Sequence, residues 1–135
     1  MKTSVCHIQL NVSDAKKSIP LYKSLLSYFE YIIMEESKEH LGASNGTTDF
    51  WILQTEKKYL NKQYHRKATG INHISFKVSS QKEVDAFKKE FLDKHTIPTL
   101  YNSPKEFPEY TKGYYAVFFE DPDRVKLEVA YVPKK

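Results

Sequence analysis

The 135-residue sequence predicts an α+β chain built from one unit, a strand, a helix and three strands, used twice. Three observations carry that expectation. First, His7-Ile-Gln-Leu-Asn-Val-Ser-Asp14 and His73-Ile-Ser-Phe-Lys-Val-Ser-Ser80 both alternate apolar and polar residues, the period of a strand with one buried face. Second, each puts Ile, a second large apolar residue and Val on one face (Ile8, Leu10, Val12; Ile74, Phe76, Val78) and its histidine on the other. Third, each runs into an amphipathic helical pattern, and the two stand 66 residues apart, about half the chain.

Residues 4–12 form the first strand, and Asp14 caps a turn. Pro20 lacks the N–H that a helix interior needs, so the helix is expected to begin near Ile19 with Pro20 in its first turn. Ile19, Tyr22, Leu25, Leu26 and Phe29 make its apolar face. Strands are expected over Tyr31–Glu36, His40–Ala43 and Asp49–Gln54, with Asn45-Gly46 marking the last turn. In the second half the strand spans about Ile71–Val78. Ser80 and Glu83 then form a capping box that starts a helix at Gln81, buried through Val84, Phe87, Phe91 and Leu92. Pro98, Pro104 and Pro108 restrict the next stretch to a short strand and a long loop. Gly113–Glu120 and Val125–Val132 are the final strands, joined by a turn at Asp121-Pro122-Asp123.

Composition narrows the class. Forty per cent hydrophobic and 28% charged residues are ordinary for a globular chain. The net charge of +4 is local: Lys57, Lys58, Lys62, Arg66 and Lys67 stand against Glu56 alone, and the rest of the chain sums to zero. That argues against a broad nucleic-acid surface and for a solvated basic connecting loop. The single Cys6 excludes an internal disulfide and is expected in the core. No apolar run approaches the roughly 20 residues of a membrane span, and no leader pattern opens the chain, so a cytoplasmic protein away from membranes is expected.

Opposite their apolar faces, the three best strands place His7, His73 and Glu128. If that face is cupped, two imidazoles and a carboxylate point into one cavity, a facial triad with coordination positions left for water and substrate. Rigid strands supply the fixed geometry such a site needs.

These stretches, with Ser18-Ile-Pro-Leu-Tyr22, Asn72-His-Ile-Ser-Phe76, Gly113-Tyr-Tyr-Ala-Val-Phe-Phe-Glu-Asp-Pro-Asp123 and Leu127-Glu-Val129, resemble the vicinal oxygen chelate superfamily. That is the glyoxalase/bleomycin-resistance/extradiol dioxygenase group, and the resemblance covers nearly the whole chain. It implies paired βαβββ modules (about 1–56 and 70–135, joined by loop 57–69) forming a cupped mixed sheet around one divalent metal ion, whether zinc, iron, manganese or nickel. The implied ligands are His7, His73 and Glu128. The fourth family position falls on Trp51, with Asp49 two residues away as a weak substitute. Glyoxalase I-like isomerases use four protein ligands, so the His/His/Glu set looks more like extradiol dioxygenases and fosfomycin-modifying enzymes. The seven residues after Glu128 leave little room for the anion-binding segment of a fosfomycin-type thiol transferase. Arg124 stands where the family's turn usually has glycine.

The expected function is therefore a metal-dependent lyase or dioxygenase acting on a small substrate chelated through neighbouring oxygens. Glu128 and Tyr115 form the catalytic set, and Trp51, Tyr114 and Phe118 an aromatic wall. Alternation lets only one of Tyr114 and Tyr115 face the site and leaves open which. The alternative is a metal-free drug- or aromatic-ligand-binding protein of the resistance type. A homodimer is implied by the family.

Overall fold

The computed structural model describes residues 1–134, in two compact units, Met1–Gln63 and Tyr64–Lys135. In the first, β1 (His7–Val12) is followed by α1 (Ala15–Tyr28), β2 (Ile32–Glu36), β3 (His40–Ser44) and β4 (Asp49–Gln54). In the second, β5 (His73–Val78) is followed by α2 (Gln81–Phe87), β6 (Thr99–Glu106), β7 (Tyr115–Glu120) and β8 (Lys126–Tyr131). Each unit is thus the expected strand, helix and three strands. Each holds its own four-stranded mixed sheet, ordered β1-β4-β3-β2 and β5-β8-β7-β6. The first strand pairs parallel to the last and the other pairs are antiparallel. The parallel pairing requires the crossover that the helix supplies.

In the first unit, Leu10 and Val12 on β1, Ile52 on β4, Leu41 and Ala43 on β3 and Ile19, Tyr22, Leu25 and Leu26 on α1 are buried together. Helix α1 begins at Ala15, earlier than the proline argument placed it, and Pro20 lies inside it. The reason is the cap. The Asp14 carboxylate accepts the Lys16 N–H at 3.1 Å, and Gln54 Oε1 accepts the Ala15 N–H at 2.8 Å while its Nε2 donates to the Ser13 carbonyl. These contacts hold the first turn onto the end of β4. They offset the single backbone bond that Pro20 forfeits.

In the second unit, α2 starts where expected. Ser80 Oγ accepts from the Glu83 N–H, but the Glu83 carboxylate reaches Ser79 N and Oγ, at 2.7 Å each, instead of Ser80 N. These bonds hold the Glu83 carboxyl below its usual range. Residues Lys88–Asp93 continue α2 as a π-helical segment, and this added residue per turn keeps Phe91 and Leu92 both buried behind Phe87. Segment Thr99–Glu106 is a longer strand than the prolines suggested. As the edge strand it has a free side, so Pro104 costs little, and the pairing with β7 slips between Leu100 and Lys105. Tyr101 and Asn102, with φ of 61° and 52°, occupy that slip. Cys6 is exposed, not in the core, because β1 begins only at His7. Within the basic loop, Lys57–Tyr59 form one 3₁₀ turn. No helix among the described residues is long and apolar enough to cross a membrane.

Candidate functional site

Strand β8 is buried on both faces, which separates it from a surface strand. Leu127 and Val129 pack under α2; Glu128 and Ala130 look the other way. The ladders fix what joins them. Phe118 pairs with Glu128, Ala116 with Ala130, Ser75 with Glu128, and His73 with Lys126. The face turned from α2 therefore carries Glu128 in the middle, His73 beside it and Phe118 across from it. Phe107, Ala116, Phe118 and Ala130 form the apolar floor.

Glu128 is only 1% exposed, and a buried carboxylate is costly unless each oxygen is answered. Both are. Tyr114 Oη donates to Oε1 at 2.6 Å, and His73 Nε2 lies 3.4 Å from Oε2. Asn72 Oδ1 is 2.8 Å from His73 Nδ1, so this nitrogen carries the proton donated to Asn72. That leaves Nε2 either as a lone pair or, when protonated, as the partner of Glu128. A histidine ligand held by its second nitrogen is the usual arrangement at a metal centre. Burial first, then the bond to Glu128, pushes the Tyr114 phenol far above its ordinary range. It is a donor at every physiological pH and never a base.

Of the two adjacent tyrosines, it is Tyr114 that reaches Glu128. Tyr115 points to the helix side, where its hydroxyl donates to Asp85 Oδ1 at 2.8 Å, and burial followed by that bond pushes its pKa up to about 12. Tyr115, expected beside Glu128 in the catalytic set, thus contacts α2, and Tyr114, expected in the aromatic wall, meets the carboxylate. Parity along β7 carried the signal: Phe118, Ala116 and residue 114 share a face.

In the first unit the register places Asp49 opposite His7 and Trp51 opposite Gln9. Trp51 thus holds the ladder position that Glu128 holds in the second unit, as the sequence match implied. Its ring lies flat on Gly42: a Cβ built there would meet Trp51 Cζ3 at 2.5 Å. Gly42→Ala is expected to tilt the ring off β3, red-shift the emission of this single tryptophan and cost about 1–3 kcal/mol, the range for overpacking. Fluorescence with a urea titration checks both. Unchanged emission would show that the ring does not rest on Gly42.

The imidazole and carboxylate of His73 and Glu128 suit a borderline divalent ion, and the Asn72 bond orients one of them. They supply two protein donors. Among the described residues no group of three His, Cys, Asp or Glu side chains converges, and His7 stands exposed on β1 of the first unit. Within the second unit, His73 and Glu128 of the expected triad come together, with Tyr114 on the carboxylate.

No protein-family model matches the chain. The uncharacterized protein YqjT of Bacillus subtilis (strain 168) is 34% identical over 125 residues, which is 91% of this chain and 94% of that protein. A crystal structure of a candidate glyoxalase from Bacillus halodurans superimposes with a TM-score of 0.85 at 30% identity, covering 95% of each chain. A glyoxylase/bleomycin resistance protein/dioxygenase domain from Frankia sp. EAN1pec shares the fold, with a TM-score of 0.73 at 19% identity over 98% of this chain and 100% of that one.

Proposed function

The chain belongs to the vicinal oxygen chelate superfamily of glyoxalase, bleomycin-resistance and dioxygenase proteins, and from that premise we propose that it is a metal-dependent enzyme of the lyase or dioxygenase type. Its substrate is a small molecule with neighbouring oxygens. The observation that carries the reading is the buried Glu128 carboxylate facing an imidazole whose other nitrogen is already held. His73 Nε2 and Glu128 Oε2 are the proposed donors to one divalent ion. His7, which the sequence matches to His73, is the further donor to test. Trp51 belongs to the proposed wall on its sequence match alone.

When bound, the ion supplies Lewis-acid polarisation of a ligand oxygen. The protein's own part rests on the bonds around the dyad. Tyr114 fixes the Glu128 carboxylate and, with its pKa held high, remains a hydrogen-bond donor throughout. Asn72 fixes the His73 ring. Phe118, edge-on to His73 with ring centroids 6.3 Å apart, excludes water from one side. A homodimer is part of the same proposal, on the family likeness.

One observation favours a second reading, the metal-free binding protein: Glu128 has a protein partner on each oxygen without any ion. Calorimetric titration with zinc and with manganese decides between them. About one ion per chain is expected in the parent, lost in His73→Ala and weakened in His7→Ala. No binding above background in the parent overturns the enzyme reading and leaves the metal-free one.

A further inference from the structure

Beside the His73–Glu128 pair lies a group of cations that the proposed chemistry does not use. Lys126 is the ladder partner of His73 on β5 and of Glu120 on β7. Its ammonium sits over the rings of Tyr101 and Phe118, 5.5 Å from each centroid, and donates to Tyr101 Oη at 3.4 Å. Among the described residues no carboxylate lies within ion-pair distance of it. The nearest by register, Glu120, is engaged elsewhere: its Oε2 accepts from Arg66 Nη1 at 2.6 Å and from Arg124 Nε at 3.2 Å. The Tyr101 phenol also lies close enough to Arg66 to help raise its pKa, after the bond to Glu120. Arg66 and Arg124 thus share the Glu120 carboxylate, and Lys126, beside the Tyr101 phenol, is left without one.

Tyr101 stands there by an unusual backbone. It and Asn102 both adopt left-handed φ angles where β6 slips, and the Tyr101 ring packs edge-on against Phe118 at 5.4 Å. Lysine over a ring face keeps its charge while giving up part of its hydration. What such an ammonium lacks is an anion, and the register puts Lys126 on the same face of β8 as Glu128, paired with His73.

We infer that Lys126, with Tyr101, binds the negatively charged group of the substrate, so the substrate class is a small oxyanion whose second oxygen faces His73 and Glu128. This rests on the proposed function for the role of that dyad, but anion binding and metal binding are separate readouts. The charge balance agrees with it: Glu128 offsets only one of the three positive charges of a divalent ion and Lys126 together, a monoanion would offset one more and a dianion the remaining two.

The test is calorimetric titration of the parent, Lys126→Met and Lys126→Arg, each with and without manganese. The probes are inorganic phosphate, mandelate and the uncharged mandelamide. Methionine keeps the packing over Phe118 and removes only the charge. Saturable binding of phosphate or mandelate is expected in the parent, weakened about tenfold or more in Lys126→Met and largely kept in Lys126→Arg, with mandelamide not binding. Whichever anion binds identifies the charged group as phosphate or carboxylate. Equal binding by Lys126→Met overturns the inference. So does a parent that takes up manganese but neither anion. A parent that takes up no manganese overturns the enzyme reading instead, and its anion titration without metal still decides the role of Lys126.

Discussion

Glu128→Ala is expected to abolish metal binding and to destabilise the second unit by about 2–4 kcal/mol. Two effects add. The Tyr114 hydroxyl loses its charged acceptor in a half-buried position, and the side chain leaves a void beside Phe118. The penalty on His73 is smaller, since its side chain is 38% exposed and water reaches it. Glu128→Gln keeps the volume and one acceptor for Tyr114. It is expected to cost about 1 kcal/mol while still losing the ion. Tyr114→Phe removes the donor and keeps the ring. In a double-mutant cycle, the Glu128→Ala and Tyr114→Phe costs are expected to fall short of additivity by about 1–2 kcal/mol. Urea denaturation of the four proteins checks this, and strict additivity would show that the Tyr114–Glu128 bond does not stabilise the fold.

Phe87→Ala is the substitution expected to damage stability most, by about 3–5 kcal/mol, against a total of about 5–15 for a chain of this kind. Phe87 is buried at the seam between α2 and the sheet. It stacks on Phe91 with centroids 5.2 Å apart and planes 12° apart, and leans on Phe119 at 5.5 Å. Phe119 is on β7 directly after Phe118, so the same seam holds the strand that carries the site floor. Phe87→Leu, which keeps most of the volume, is expected to cost under about 1.5 kcal/mol. The urea midpoint measures both. A loss below about 1 kcal/mol in Phe87→Ala would mean the neighbouring rings collapse into the gap.

The sequence pattern revealed the fold through features that act locally. Alternation at His7–Val12 and His73–Val78 marked both first strands, and Ser80 marked the start of α2. The misplacement of α1 came from weighing Pro20 by itself, when Gln54, far along the chain, helps secure its first turn. The length of β6 was hidden for a similar reason: only its edge position makes Pro104 tolerable. At the site, the matched histidines and Glu128 stood out because strand parity put all three opposite the apolar residues. Between Tyr114 and Tyr115 alternation left the choice open, although parity with Phe118 carried the signal for Tyr114, and Asp85 as the partner of Tyr115 was hidden because 30 residues separate them. The cluster of Arg66, Tyr101, Glu120 and Lys126 was invisible for the same reason. Its members come from a loop and three strands, and nothing in their spacing announces that they meet.

The most direct test of the proposed centre is anomalous X-ray diffraction from crystals grown with manganese. The expected result is one peak within bonding distance of both His73 Nε2 and Glu128 Oε2, with Tyr114 still bonded to Oε1. A manganese peak away from these two atoms, or no peak in crystals of protein exposed to the metal, would contradict His73 and Glu128 as metal ligands.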